Sequence, residues 1–379
     1  MFILKRIGNA PNILLQKFVC DVIADLENIK EAQFGAECYV IDTKETYIKN
    51  SLGEWKLKFG NSDGSDSVDP ELSAGLYVDG KMTKSWEDLV SENIISFADP
   101  GSIVSNTKDA VIGDLVVSND VNSIFYEGFY GCKNLTSINM PMVTGIGFKA
   151  FEGCTNLTSI NMPMVTDIAS RTFFSCTNLT SINMPMVTEI GENAFEGCIG
   201  LTSIDLSKVT EIGYEAFEGC IGLTSIDLPK VTRIGLGTFF SCTNLTSINM
   251  PAVTTIEQAA FHSCTNLTLV NMPVIERLEL QAFDNCTSLD TIILRKADSI
   301  VDVNIIAFYN TKILTNDFLP TGQGFIYVPT HLYEDYVSNF IYQMLGLGSM
   351  IGIEIDAETA ESTSRAILRK IEEYPEICG

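Results

Sequence analysis

Histidine is nearly absent from this chain. Of 379 residues only His262 and His331 are histidine, and the 11 cysteines form no C-x-x-C pair. Zinc sites want ligands paired closely in sequence, and nucleophilic or acid–base catalysis most often sets a histidine beside the reacting group. A phosphate-cradling glycine loop and paired carboxylates in an identifiable cleft are missing too. Basic residues are scarce: 24 Lys and Arg against 48 Asp and Glu give a formal charge of −24. With no basic stripe to displace counterions from phosphates, nucleic acid is excluded as a partner and an anionic membrane is disfavoured. No run of about 18 apolar residues occurs, so no membrane insertion is expected. The chain reads as a non-enzyme with no cofactor and no metal.

What the chain does have is a period. Cys132, Cys154, Cys176, Cys198, Cys220, Cys242, Cys264 and Cys286 are each 22 residues apart. Each stands three residues after a phenylalanine (Phe129 to Phe283) and three before a leucine (Leu135 to Leu289). A fixed period in this range marks a solenoid, whose units bury their apolar faces only by stacking on neighbours. Some stretches are internal copies: residues 172–185 match 238–251, and 194–206 match 216–228. At 46% hydrophobic content the chain has ample apolar surface for one continuous interior.

Within a unit, Leu201, Ile204 and Leu206 follow L-x-x-I-x-L, whose second half alternates like a strand with one buried face. Proline then ends the strand in most units, as at Pro185 and Pro229. Val209, Ile212, Ala216 and Phe217 supply a return path, with Gly213 permitting a tight corner. Strands are expected near Ser137–Met140 and at each translation to Thr291–Leu294, in one continuous parallel sheet. At roughly 4.8 Å per strand, eight units span about 40 Å.

The unit A-F-E-G-C-I-G-L-T-S-I-D-L-P-K-V-T-R-I-G at 216–235 resembles the BspA-type leucine-rich repeats. The resemblance covers residues 111–328. It implies an α/β repeat fold, a right-handed leucine-rich-repeat solenoid with 22-residue units and one parallel strand per unit. Such arrays occur in bacterial surface proteins and in phages.

Residues 1–60 read as a separate β module, with strands at Glu37–Asp42, Glu45–Asn50 and Glu54–Phe59 joined by tight turns. The F-V-C-D opening at 18–21 and the Y-I-K-N…G-E-W hairpin at 47–55 resemble a small module that begins phage head-fibre and tail-associated proteins. That resemblance implies an anchor to virion proteins through residues 1–60. The first residues carry charges inside and after their apolar stretches and lack a cleavage site, so no signal peptide is expected.

Residues 61–74 are a flexible linker, poor in apolar residues. Residues 75–110 are the solenoid's N-terminal cap, with a short amphipathic helix carrying Trp86 and Leu89. At the far end Phe283 to Phe308 is 25 residues instead of 22, and Thr311 stands where a cysteine is due. Residues 329–379 form a C-terminal helical cap and tail. Thr330 is read as the N-cap of a helix bearing Leu332, Tyr336, Phe340 and Met344, and 357–373 as one more helix.

The repeated cysteines read as a buried thiol column acting as small hydrophobes, since disulfide frameworks belong to small secreted domains. Met140, Met162, Met184, Met250 and Met272 read as core. Triplets such as Asn156-Leu157-Thr158 match a sequon but fall inside the repeat.

The functional expectation is a phage virion structural protein (head fibre, decoration or tail-associated) whose array adheres to a host-surface protein or glycan. The alternative is a bacterial cell-surface adhesin or a prophage-derived interaction protein. A hydrolase on a repeat scaffold lacks candidate residues, and homo-oligomerisation is left open. The outward strand positions are monotonous: serine at 137 to 247, and Asn or Asp at 139 to 271. Variation concentrates on the return side, where Phe148, Phe174, Tyr214, Arg233, Phe240 and His262 are the candidate ligand-binding residues. Exposed rings are costly decoration unless they meet a partner.

Overall fold

In a computed structural model the chain divides into residues 1–73 and 74–379. The structure describes residues 73–373, apart from 297, 316–318 and 352–354 and the side chains of 347–351, and before them the backbone of five strands. Most of the linker read at 61–74, and the end of the tail, lie outside the described residues.

The first unit holds a five-stranded sheet in chain order: Phe2–Ile3, Lys17–Cys20, Glu37–Val40, Glu45–Lys49 and Trp55–Leu57. The last three pair antiparallel, as their alternation predicts. Lys17–Cys20 joins them in parallel to Glu37–Val40, a pairing the sequence did not signal.

The second unit is the solenoid, and most of its turns carry two short strands rather than one. The principal strands include Leu135–Asn139, Ser159–Asn161 and Ser181–Asn183, in register at the expected translation. A second column of two-residue strands follows each corner, as at Asp167–Ile168, Glu189–Ile190 and Glu211–Ile212. Two edges and the returning loop enclose the core.

A stack of phenylalanines fills that core. Phe129, Phe151, Phe173, Phe195, Phe217, Phe239, Phe261 and Phe283 are fully buried. Consecutive rings lie 5.2–5.6 Å apart between centroids. Where the spacing lengthens before Phe308 the separation opens to 6.3 Å. The methionines read as core are buried, among them Met140, Met162 and Met272.

The principal sheet is not continuous, contrary to expectation. Ser203–Asp205 forms no ladder, and Ser225–Asp227 with Ser247–Asn249 makes a separate pair. At Ser203–Asp205 the side-chain row on this face changes as well. Asn161 Nδ2 donates to Asn139 Oδ1 at 2.7 Å, and Asn183 Nδ2 to Asn161 Oδ1 at 2.6 Å. Asp205 has no amide hydrogen to continue that row, and its Oδ1 accepts instead from its own turn, from Ser207 N at 3.0 Å.

The corner glycine also acts differently from the expectation. A Cβ on Gly213 would lie 2.5 Å from Glu192 N of the preceding turn. Close approach of neighbouring turns therefore requires glycine there, and a left-handed backbone does not. Left-handed residues occur later on the return path, at Lys149, Arg171, Asn193 and Glu215, with φ of 54–57°.

Both ends are shielded by non-repeating structure. Gly75–Val78 pairs antiparallel with Gly113–Val116, closing the first edge. The short helix α1 (Trp86–Ser91) buries Trp86 and Leu89 and starts with a reciprocal cap between Ser85 and Asp88. At the far end a 3-10 turn at Thr330–Leu332 precedes α2 (Tyr333–Ile351), so Thr330 is not an N-cap; its hydroxyl bonds Glu372. Tyr336, Phe340 and Met344 are buried as read. Helix α3 (Ala357–Ile367) stops short of 373, because Leu368–Lys370 adds a last parallel strand beside Phe325–Val328.

Phe217 is wedged between Phe195 at 5.2 Å and Phe239 at 5.5 Å. Phe217→Ala is expected to cost about 3–5 kcal/mol through the cavity it leaves. Urea unfolding followed by circular dichroism measures this; an unchanged midpoint would contradict a stack that holds the turns together.

Candidate functional site

The thiol column is the most regular chemical feature. All eight repeat cysteines are buried and free. They are not merely small hydrophobes: each thiol from Cys154 to Cys286 donates to the carbonyl of the phenylalanine 25 residues earlier, at 3.0–3.2 Å. Cys220 Sγ–H, for example, reaches Phe195 O at 3.1 Å. The thiol thus stitches one turn to the next, a donor role that the apolar spacing alone did not reveal. Burial pushes the thiol pKa up, to about 11 at Cys132 and about 12 at Cys242. From Cys132 to Cys264 burial thus keeps the thiols protonated near neutral pH. Labelling of these cysteines should therefore be slow in the native protein and fast in urea. Cys220→Ala should cost about 1 kcal/mol for the lost hydrogen bond, plus a small cavity.

The six candidate residues are spread over five turns of the return side, Arg233 and Phe240 sharing one. Phe148 is exposed and stacks on Tyr126 at 5.7 Å, with Lys149 Nζ 5.3 Å from its ring centre. Phe174 is half-buried beneath the Arg171 guanidinium at 3.8 Å, and Arg171 pairs with Glu152 at 2.9 Å. Tyr214 is exposed and lies over Gly235, where a Cβ would meet its ring at 2.8 Å. Arg233 is paired with Glu257. Phe240 stacks on His262 at 4.7 Å, the two rings nearly parallel at 4°. The structure thus forms several small patches, of which Phe148 and Tyr214 offer the most open rings.

His262 also meets Ser263 and Asp284. Ser263 Oγ is 2.9 Å from Nδ1, while Asn285 Nδ2 at 3.2 Å and Asp284 Oδ2 at 3.5 Å approach Nε2. This series follows from repeat position rather than from a nucleophile. Ser175 and Ser241 occupy the place equivalent to Ser263 with left-handed φ of 58° and 57°, and Phe174 and Phe240 stand before them where His262 stands before Ser263.

Among the described residues one group of carboxylates is close enough to share an ion: Glu196, Glu215 and Glu218 offer oxygens within 4.8 Å of one another. Asn193 donates to Glu196 at 2.6 Å and to Glu215 at 3.0 Å. Partial burial, then the neighbouring carboxylates, raise the pKa of Glu218; burial likewise leads for Glu196. A carboxyl whose folded pKa is raised holds its proton more readily in the native chain, so this local penalty is present at neutral pH and fades as pH falls through the folded value. Glu218→Gln should therefore stabilise the protein at pH 7. The gain should shrink toward about pH 4, in thermal melts of both forms.

A family model for the BspA type leucine rich repeat region matches residues 108–222 and 210–327, more than half of the chain. The chain belongs to the BspA-type leucine-rich repeat family. The match does not extend to residues 1–60. Among solved structures, the array is similar to a T. pallidum leucine-rich repeat protein at 28% identity, covering 47% of this chain and 89% of that one with a TM-score of 0.43. A leucine-rich repeat protein from Bacteroides ovatus is 25% identical over 61% of this chain and 73% of that one, with a TM-score of 0.44. A leucine rich cell surface protein from Faecalibacterium prausnitzii is 19% identical over 67% of this chain and 88% of that one, with a TM-score of 0.28. No curated protein matches. Within the BspA-type array the strand face repeats Ser and Asn or Asp, while the return side carries the exposed rings.

Proposed function

We propose that this protein is a non-catalytic adhesion protein whose repeat array takes a host-surface protein or glycan on its return side. The observation that carries the reading is the exposure of Phe148, with Tyr126 stacked on it, and of Tyr214 at the equivalent position of its turn. Rings left in water favour a partner that covers them. Among the described residues no helix is long and apolar enough to cross a membrane.

The finer part of the proposal is the carrier. Residues 1–60 would attach the array to a phage particle, a reading supported by the F-V-C-D and Y-I-K-N…G-E-W motifs. Display on a bacterial cell surface is the second reading, favoured by membership of a family with surface repeats.

Two experiments test these parts separately. Binding of the purified full chain to host cells should fall at least tenfold in a Phe148→Ser, Tyr214→Ser variant, about 1.4 kcal/mol. Unchanged binding there, with loss on substituting Asn183, Asp205 and Asp227, would move the site to the strand face. Mass spectrometry of purified virions should find the protein, and removal of residues 1–60 should abolish its incorporation. Incorporation at normal copy number without those residues would place the anchor elsewhere.

A further inference from the structure

Three exposed methionines and a row of three carboxylates run along neighbouring columns of the array and overlap on two turns, those of Met164 and Met186. Met142, Met164 and Met186 stand ten residues after successive cysteines and are 44–50% exposed. In later units that position is Lys208, Lys230, Ala252, Val274 and Lys296, so the thioether stripe is confined to the first three. Three residues further along stand Asp167 after Met164, Glu189 after Met186 and Glu211 after Lys208, and the three carboxylates point outward from one in-register piece of the second sheet. Beside them runs a groove of about 550 Å³, whose lining includes Thr144, Ser170 and all three carboxylates. Tyr214 directly follows the lining residue Gly213.

Both features are unfavourable in the isolated chain. Like charges on adjacent rungs, roughly 4.8 Å apart, repel. Among the described residues no lysine or arginine forms an ion pair with Asp167, Glu189 or Glu211. The same column behaves differently farther along: Arg233 pairs with Glu257, and Arg277 with Glu279 and Asp302. Methionine, flexible and polarizable, suits surfaces that adapt to apolar partners. A cationic and an apolar requirement are thus presented side by side over one stretch of the array.

We infer that this face binds a basic amphipathic helix of a partner protein, with lysine or arginine on the carboxylate row and apolar side chains on the methionine stripe. The inference rests on the array being an interaction surface, and it names the partner's chemistry. Helix residues three or four apart present side chains about 5–6 Å from one another, close to the rung spacing. Two helical turns, about 10.8 Å, match the first-to-third carboxylate distance of roughly 10 Å. A second copy of this chain is the wrong occupant, because its charge of −24 would repel the row. Lys208, whose Nζ lies 3.3 Å from Met186 Sδ, bounds the stripe at its far end.

The test uses the full chain and a fluorescein-labelled peptide of alternating lysine and leucine at helical spacing, read by fluorescence anisotropy. Saturable binding that weakens with added salt is expected, and failure to bind would overturn the inference. Neutralising the row with Asp167→Asn, Glu189→Gln and Glu211→Gln should weaken binding at least tenfold. Met142→Ser, Met164→Ser and Met186→Ser together should also weaken it. Asp205→Asn with Asp227→Asn, which removes charge from the strand face, should leave it unchanged. Equal loss in that control, or equal affinity for a peptide of the same charge with scrambled order, would overturn the inference as well. Failure of the unaltered chain to bind the peptide, with host-cell adhesion intact, would sink this inference alone and leave the adhesive reading standing.

Discussion

Everything in the array depends on contact between successive turns. A single unit of 22 residues has one buried phenylalanine, one cysteine and a few aliphatic side chains, too little to enclose an interior. Stacked, each interior ring finds another ring on both sides, and each thiol from Cys154 onward finds a carbonyl of the turn before it. Backbone groups follow the same rule: Phe217 N donates to Thr238 O of the next turn at 2.9 Å, as Phe195 N does to Ala216 O at 2.8 Å. Hydrogen bonds and apolar burial therefore point along one axis. The lateral surface is left free to vary.

That division explains what was legible in the sequence. The phenylalanine, cysteine and leucine columns repeat because they are buried on every turn, and their period alone indicated a solenoid. Strand positions around residues 137–139 and their translations could be read for the same reason. The cap helix carrying Trp86 and Leu89 was visible from its apolar spacing. The second column of strands was not, because two-residue strands such as Glu189–Ile190 leave no alternation to detect. Nor was the break at Ser203–Asp205, since Ser225–Asp227 has the same sequence and does pair.

Surface features were legible only in part. Phe148 and Tyr214 stood out as rings among polar residues, and they are exposed. Phe174 and Phe240 look alike in sequence, yet each is covered by a neighbouring side chain, Arg171 in one case and His262 in the other. Such pairing joins residues that are close on the coil but distant in the pattern. The methionines at 142, 164 and 186 were hidden for the opposite reason. They sit two residues from buried methionines at 140, 162 and 184, and only the proline corner between them turns one outward and the other inward.

The non-repeating ends have a consequence for how such a chain can change. Gly75–Val78 and Leu368–Lys370 flank the array without taking part in its period. An added or deleted unit in the interior meets the same neighbours above and below, and neither end has to be rebuilt. Identical segments such as 194–206 and 216–228 already sit on adjacent turns, each with its phenylalanine stacked between two others and its thiol bonded to an earlier turn. Length is thus an adjustable property of this protein in steps of one rung, about 4.8 Å of reach at a time.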